Sequence, residues 1–173
     1  ALDKRIRALW IIATNPIVSF PNLGALRQAL EALEFLVVQD GYHPTPTSEF
    51  AHLVLPAAIW GEKEGTYTNS ERRASKVNRA VDPPGEARSD FDIFLHVADT
   101  LGVRDELFPG WTKPEHAFDE WRRVSAGRPC DYSGMTYELI ERHGGIQWPF
   151  PEGATDPAAT RRLYTDGVFQ TES

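Results

Sequence analysis

Three short apolar segments near the start of the chain each end at polar residues that could contact a ligand. Asn15 follows the first segment, and Gln39 and Asp40 end the second. Lys63 lies in the polar stretch after the third. Amide, carboxylate and ammonium groups can hydrogen-bond a base or sugar and neutralise a phosphate. Because ligands of open parallel sheets bind beyond the carboxyl ends of the strands, the pattern favours a nucleotide cleft.

Asp40 has the clearest chemical possibility of these residues. A carboxylate at the end of a strand can accept two hydrogen bonds from a ribose diol or from the N1–N2 edge of guanine. The alternative is a turn residue in Asp40–Gly41, because acidic residues are ordinary turn formers. Asn15 has the same two interpretations: it precedes Pro16 in a turn, and it could hydrogen-bond a base or a pterin.

The remaining charged candidates also have more than one interpretation each. Lys63 lies between Glu62 and Glu64, so it could reach a phosphate or belong to a solvated charged surface. The pair Arg72–Arg73 could bind phosphate or carboxylate, or form structural ion pairs with nearby glutamates. Asp90 could cap its own helix, pair with Arg88 or reach a ligand. Charge pattern alone favours the solvated surface for Lys63, and helix capping is the default interpretation of Asp90.

The apolar periodicity predicts a β-α-β unit that would position these residues. Arg7–Ala13 and Phe35–Val38 are apolar and are predicted as buried strands. Asn22 can cap a helix over Leu23–Leu33, in which leucines recur at helical spacing. Two apolar strands joined by a helix indicate a parallel sheet. Leu53–Leu55 is predicted as a third strand.

The elements after the third strand form a less regular series. Gly61–Asn69 is polar and is predicted as a loop, and Ser89 is placed to cap a helix that ends near Gly102. The plan is an α/β domain over residues 1–105 and a helical, irregular extension over residues 106–173. Other predicted elements are a helical or turn segment over Thr45–His52, an extended segment over Ala74–Val81, helices over His116–Val124 and Thr136–His143, and a short strand over Arg162–Tyr164.

Composition excludes several classes of function. The 173 residues carry a net charge of −7, which disfavours binding to nucleic acid or to an anionic membrane. Cys130 is the single cysteine, so this chain alone can form neither a disulfide nor an iron–sulfur site. No apolar run approaches the roughly 18 residues of a membrane span. The first residue is Ala1, which indicates either a piece of a longer chain or a processed start.

Several stretches resemble the molybdopterin oxidoreductase family. The most specific is Glu62–Arg73 (EKEGTYTNSERR), which resembles a segment shared by nitrate reductases and formate dehydrogenases. Ala8–Pro16 and Phe35–Asp40 resemble strand-and-turn segments of the family's third domain, and residues 84–90 follow at the expected place. Ala126–Glu138 resembles the assimilatory nitrate reductase branch, as do Gly144–Pro149 and Arg162–Gly167.

The resemblance implies a three-layer, Rossmann-like α/β domain and a cofactor site. Family members hold molybdenum between two molybdopterin guanine dinucleotides, and a 4Fe-4S cluster, bound outside this chain, would deliver electrons. By resemblance, the pterin-dinucleotide contacts are Asn15, Gln39, Asp40, Lys63 and Asp90. No residue of the chain matches a metal ligand or a catalytic residue of the family.

The resemblance also implies a function and partners. We expect part of a cytoplasmic nitrate reductase that converts nitrate to nitrite by oxygen-atom transfer. Its partners would be the rest of its own polypeptide, nitrate, and an electron donor that is either ferredoxin or a flavoprotein. The cluster-binding cysteines and the molybdenum ligand of the family have no counterpart, so we expect the isolated chain to be inactive. The alternatives are a formate-dehydrogenase-type enzyme and a non-catalytic binding module with the same fold.

Overall fold

The chain forms two compact units, each with its own hydrophobic core. The computed structural model describes residues 1–157 and 166–168. The first unit comprises residues 1–63 and 79–109, and the second begins with residues 64–78 and resumes at residue 110. This division differs from the predicted continuous domain over residues 1–105, because residues 64–78 pair within the second unit.

The first unit is built on a three-stranded parallel sheet. Its strands are β1 (Ala8–Ile12), β2 (Phe35–Asp40) and β3 (Leu53–Pro56), in the order β1-β2-β3. Both neighbouring pairs are parallel, with Trp10 opposite Val37 and Val38 opposite Val54. The predicted parallel sheet is therefore confirmed, and the polar pair Gln39–Asp40 belongs to β2 itself.

Two helices connect β1 to β2. Helix α1 (Pro16–Ser19) is a single turn that begins at a proline, and helix α2 (Leu23–Glu31) follows. The Asn22 side chain accepts a hydrogen bond from the Ala25 backbone N–H at 3.3 Å, as the capping prediction required. Helix α2 ends two residues before the predicted Leu33. The segment between β2 and β3 contains the 3₁₀ turn Ser48–Phe50 within the predicted helical or turn segment.

Helix α3 (Asp90–Leu101) follows the predicted pattern closely. The Ser89 hydroxyl accepts a hydrogen bond from the Asp92 N–H at 3.1 Å, and Gly102 ends the helix at a φ of 71°. That left-handed conformation suits glycine because it has no Cβ. The short helix α4 (Arg104–Leu107), which the sequence pattern did not predict, follows at once.

The packing of β1 shows that α2 and α3 lie on opposite faces of the sheet. Ile11 packs in one cluster with Leu30 of α2, whereas the ring centroid of Trp10 lies 5.2 Å from that of Phe94 in α3. Neighbouring residues of a strand point to opposite faces. In β2, Val38 belongs to the cluster with α2, so Gln39 points to the α3 face.

The second unit contains an antiparallel sheet of β4 (Gly65–Thr68), β5 (Arg73–Val77) and β6 (Ile146–Gln147). The predicted loop over Gly61–Asn69 is therefore wrong. The 3₁₀ turn Trp60–Glu62 overlaps the start of that segment, and β4 follows, whose residues Thr66–Thr68 favour strands and pair with β5. The predicted extended segment over residues 74–81 corresponds to β5, which ends earlier.

Two helices complete the described part of the second unit. They are α5 (Pro114–Ser125) and α6 (Tyr137–His143), close to the predicted bounds. Met135, Ile140 and Ile146 are fully buried at the centre of the core. The extension predicted over residues 106–173 thus contributes these two helices and the two-residue strand β6, which pack in one core with β5. The strand predicted over residues 162–164 lies outside the described residues.

Candidate functional site

The parallel order of β1, β2 and β3 brings the predicted site residues to one edge of the first unit. Asn15 follows β1, Gln39 and Asp40 end β2, and Lys63 follows β3. Asp90 begins α3, which packs on the face to which Gln39 points. All five residues predicted from sequence therefore belong to the first unit, at or near the carboxyl ends of its strands.

Gln39, Lys63 and Asp90 form one hydrogen-bonded network. The Gln39 Nε2 donates to Asp90 Oδ1 at 2.6 Å, and Lys63 Nζ donates to Asp90 Oδ2. Gln39 is fully buried, whereas the side chains of Lys63 and Asp90 keep 22% and 32% of their exposure. Each carboxylate oxygen of Asp90 thus positions one of the predicted contact residues, Gln39 or Lys63. The ammonium group of Lys63 stays accessible enough to bind an anion.

The network fixes the orientation of the Gln39 amide. A carboxylate can only accept, so the NH₂ group must face Asp90 and the carbonyl oxygen must face away. That oxygen, Gln39 Oε1, is buried and has no hydrogen-bond partner among the described residues. An unsatisfied buried acceptor costs about 1–3 kcal/mol. A ligand that supplies an N–H or O–H donor at this position would recover that cost.

Asn15 is held by a different residue. Thr47 Oγ1 donates to Asn15 Oδ1 at 2.6 Å and accepts from the Ile17 N–H at 3.2 Å. Thr47 is fully buried, and Asn15 is partly exposed. Thr47 was not among the residues predicted to contact a ligand. Its contact with Asn15 joins residues 32 positions apart, which sequence spacing could not reveal.

Asp40 makes the turn contact that was the alternative to ligand binding. Its Oδ1 accepts from the Tyr42 backbone N–H at 3.0 Å. The turn packs tightly, because a Cβ on Gly41 would lie 2.8 Å from Ile59 Cγ2. Asp40 Oδ2 makes no hydrogen bond to a described residue, so the turn leaves one carboxylate oxygen for a ligand. Asp40 points to the face opposite Gln39.

A serine–histidine contact beside these residues is structural. His43 Nδ1 lies 3.1 Å from Ser48 Oγ, a distance at which a histidine could activate a serine. However, the hydroxyl donates its one proton to the Thr45 carbonyl at 3.0 Å and accepts from the Thr45 N–H at 2.8 Å. Because the hydroxyl proton is used in the bond to Thr45, Ser48 Oγ can only accept from His43 Nδ1, and the contact stabilises the turn after β2.

The arginine pair at the end of the Glu62–Arg73 stretch makes internal contacts of the second unit. Arg73 forms an ion pair with Glu71 at 3.2 Å and donates to the Gly145 carbonyl at 3.0 Å. The Arg72 guanidinium lies 5.8 Å from the centre of the Trp148 ring. For Arg73 these contacts favour the structural interpretation. Within residues 1–157 and 166–168, no group of three or more His, Cys, Asp or Glu residues could hold a metal ion.

The shifted pKa values of the second unit report internal packing. Burial raises the pKa of Tyr137 to about 12, with smaller contributions from nearby acidic groups. Hydrogen bonds from Lys76 and Asn78 lower the pKa of Glu141. Hydrogen bonds from the Ser133 side chain and backbone, together with that from the Gly127 backbone, lower the pKa of Asp131. Each group is held by neighbours within its own unit.

Comparison with known proteins places these residues in a family. Residues 1–100 match the family profile described as molybdopterin oxidoreductase. The chain belongs to the molybdopterin oxidoreductase family. The resemblance predicted from the Glu62–Arg73 stretch is thereby confirmed. The helices of the described residues include none that is long and apolar enough to cross a membrane.

Relatives within this family include nitrate reductases and formate dehydrogenases. A nitrate reductase of Synechocystis is 42% identical over 99% of this chain and 24% of its own length. The assimilatory nitrate reductase catalytic subunit of Bacillus subtilis is 38% identical over 95% of this chain and 22% of its own length. An F420-dependent formate dehydrogenase subunit alpha of Methanocaldococcus jannaschii is 44% identical over 84% and 20%, respectively. The chain thus spans less than a quarter of these relatives.

A solved structure shares the fold of the chain. Acetylene hydratase from Pelobacter acetylenicus superimposes with a TM-score of 0.64 at 22% sequence identity. The match covers 82% of this chain and 18% of that protein. At this level of identity the likeness concerns the fold alone, and it agrees with the mixed α/β architecture of the molybdopterin oxidoreductase family.

Proposed function

We propose that the chain forms part of the site that holds a molybdopterin guanine dinucleotide in a molybdenum-dependent nitrate reductase. The observation that carries this proposal is the Gln39–Asp90–Lys63 network at the carboxyl end of the parallel sheet. It combines a cation with a buried acceptor that has no described partner. Such a partly satisfied group beside a strand end fits a ligand site better than a purely structural contact.

The residues fit the chemistry of a dinucleotide. Lys63 would neutralise a phosphate, and Asp40 would accept from the guanine edge or from a ribose diol through its remaining oxygen. Gln39 would accept a hydrogen bond, and Asn15 would donate one. Asp90 would hold the side chains of Gln39 and Lys63 in position. The molybdenum centre, when bound, would supply the redox chemistry that converts nitrate to nitrite, and these residues would orient the cofactor that carries it.

Sequence coverage supports nitrate over formate as the substrate of the whole enzyme. Identity is similar for the two groups, at 42% for the Synechocystis nitrate reductase and 44% for the archaeal formate dehydrogenase. The similarity extends over 99% of the chain for the former and 84% for the latter. The stretch Ala126–Glu138, which resembles the assimilatory branch, also favours nitrate. A formate-dehydrogenase-type enzyme is the second candidate because of the 44% identity.

The finer features of the enzyme belong to the same proposal. The opposite placement of α2 and α3 supports a three-layer, Rossmann-like first unit. We further propose a second guanine-dinucleotide pterin and a 4Fe-4S cluster bound outside this chain. Assimilatory relatives favour a cytoplasmic enzyme that receives electrons from ferredoxin or a flavoprotein and uses nitrate as substrate. The isolated chain, which spans less than a quarter of its relatives, would not reduce nitrate.

Calorimetric titration of the chain with GDP tests the cofactor site. We expect wild type to bind GDP and Asp40→Ala to weaken binding by about tenfold or more, because the hydrogen bonding of the ligand to the charged, unpaired Oδ2 of Asp40 is lost. ADP should bind more weakly than GDP, since adenine offers one donor group beside an acceptor on the corresponding edge. Asp82→Ala is the matched control, because its side chain is 89% exposed and lies in the same unit.

Two outcomes would contradict the proposal. GDP binding that is equally tight in wild type and in Asp40→Ala would remove Asp40 from the site. Absence of GDP binding by wild type would remove the nucleotide site as a whole. A reduced-viologen assay is a separate test, because nitrate turnover by the purified chain would contradict the expected inactivity.

A further inference from the structure

Thr47 is a buried hydroxyl whose hydrogen bonds have a defined direction. The Ile17 backbone N–H can only donate, and it points to Thr47 Oγ1 at 3.2 Å. The hydroxyl proton is directed to Asn15 Oδ1 at 2.6 Å, which is its acceptor among the described residues. Thr47 has no exposed surface, so water does not compete for that proton. Both contacts are made by one atom, which lies between the side chain after β1 and the start of α1.

These contacts set the polarity of the Asn15 amide. With Oδ1 occupied by the Thr47 hydroxyl, the NH₂ group faces away from Thr47. It makes no hydrogen bond to a described residue, and Asn15 is partly exposed. The group that Asn15 presents is therefore a pair of donors, which match a phosphate oxygen, a carbonyl or a ring nitrogen.

The polarity of Asn15 is opposite to that of Gln39. Asp90 engages the NH₂ group of Gln39 and leaves the carbonyl oxygen, whereas Thr47 engages the carbonyl oxygen of Asn15 and leaves the NH₂ group. An unrestrained amide could rotate and offer either group. The two partners therefore convert two ambiguous side chains into one acceptor and one donor.

We propose that Thr47 is a positioning residue that fixes Asn15 as a hydrogen-bond donor to the bound nucleotide. The proposal rests on the nucleotide site proposed above and adds a residue that acts through Asn15 rather than by touching the ligand. In this proposal, the NH₂ group of Asn15 donates to an acceptor group of the ligand. A merely structural Thr47 would stabilise the start of α1 without affecting which groups the ligand must offer.

The test compares GDP affinity among variants of the full chain by calorimetry. Thr47→Val keeps the shape of the side chain and removes the hydroxyl, so we expect about fivefold weaker binding. Thr47→Ser keeps the hydroxyl and should bind within about twofold of wild type. Thr45→Val is the matched control, because the Thr45 hydroxyl accepts from the Ser48 N–H and does not contact Asn15. Its affinity should be unchanged.

A double-mutant cycle separates positioning from a structural effect. If Thr47 acts only through Asn15, then Thr47→Val should cost no further affinity in an Asn15→Ala background. The side-chain amide signals of Asn15 in ¹H–¹⁵N spectra should shift in Thr47→Val and stay in place in Thr47→Ser. Equal GDP affinity of wild type and Thr47→Val, or an undiminished loss in the Asn15→Ala background, would overturn the proposal.

Asn15→Asp provides a second test if Thr47→Val does not fold. The carboxylate can still accept from Thr47, but it cannot donate, so GDP affinity should fall about tenfold with an unchanged melting temperature. Full affinity in Asn15→Asp would overturn the donor assignment while leaving the nucleotide site intact. Wild type that does not bind GDP at all would overturn the nucleotide site and, with it, the role of Thr47.

Discussion

The two units differ in how they use polar side chains. In the second unit, the buried Ser125 hydroxyl donates to the Arg122 carbonyl at 3.2 Å and accepts from the Tyr132 N–H at 3.1 Å, so both of its hydrogen-bonding functions are paired inside the unit. In the first unit, Gln39 and Asn15 each have one half of the amide paired and the other half left over. Buried groups that are fully paired stabilise a unit, whereas partly paired groups at a strand end prepare it to bind.

The two units differ most clearly in the amide groups at the carboxyl ends of the strands. Among the described residues, each unit also has one buried side-chain nitrogen without a hydrogen-bond partner. These are Trp10 Nε1 in the first unit and Arg122 Nε in the second. Arg122 is otherwise tied to its own unit, since Nη1 donates to Asp119 and Nη2 to the Ser133 carbonyl. The difference between the units therefore concerns the amides of Gln39 and Asn15, each of which has one group paired and the other unpaired. We expect that stability and nucleotide affinity depend on different residues.

The largest expected effect is on the stability of the second unit. Met135→Ala should lower the free energy of unfolding by about 3 kcal/mol, because Met135 is fully buried and its truncation leaves a cavity. GDP affinity should not change under conditions where the variant is folded. Urea denaturation followed by circular dichroism measures the first quantity, and calorimetry the second. A loss of GDP affinity in the folded variant would show that the two properties are not separable.

A smaller effect is expected from Asp131, whose carboxylate accepts from the Gly127 N–H at 2.7 Å and the Ser133 N–H at 2.8 Å. Asp131→Asn should cost about 2 kcal/mol near pH 7. Because folding lowers the pKa of Asp131 below 3.8, its contribution is complete above that value and is lost as pH falls through the folded pKa. The difference between wild type and variant should therefore shrink when denaturation is repeated near pH 3, and a constant difference would contradict this origin.

The smallest change in stability is expected at Gln39. Gln39→Met removes the buried acceptor that lacks a described partner, and Asp90 keeps Lys63 and partial solvent contact. The free energy of unfolding should therefore stay within about 1 kcal/mol of wild type. GDP affinity should fall about fivefold or more. Gln28→Met, at an exposed position of α2, is the control.

The opposite result at Gln39 would reverse the comparison between the two units. If Gln39→Met lowered the free energy of unfolding by more than about 2 kcal/mol and left GDP affinity intact, Gln39 would be a structural residue. The first unit would then resemble the second, and the nucleotide site would have to rest on Asp40 and Lys63.

Sequence reasoning succeeded where local pattern decides structure. The strands of the parallel sheet are apolar runs bounded by turn residues, and the caps Asn22 and Ser89 bind their own helices. These features depend on residues within a few positions of one another. The placement of Asn15 and Asp40 at one sheet edge followed, because parallel strands have their carboxyl ends on the same side.

Sequence reasoning failed where distant segments decide structure. Strand β4 is short and polar, and it pairs with β5, which in turn pairs with the two residues of β6. No local periodicity marks a two-residue strand. The partners of Asp90 are equally hard to predict from local pattern, since Lys63 lies 27 positions away and Gln39 lies 51 away. Charge pattern could suggest an ion pair, but not this one.

The alternation of β2 has a consequence for how the site can vary. Gln39 and Asp40 are neighbours in the chain yet point to opposite faces of the sheet. A substitution at either position changes one face and spares the other. A single-residue insertion in β2 before Gln39 would instead turn every later residue of the strand to the opposite face. Gln39 would then lose its hydrogen bond to Asp90, and Asp40 would point to the face that Gln39 occupies now. This strand should therefore accept altered side chains far more readily than an altered length.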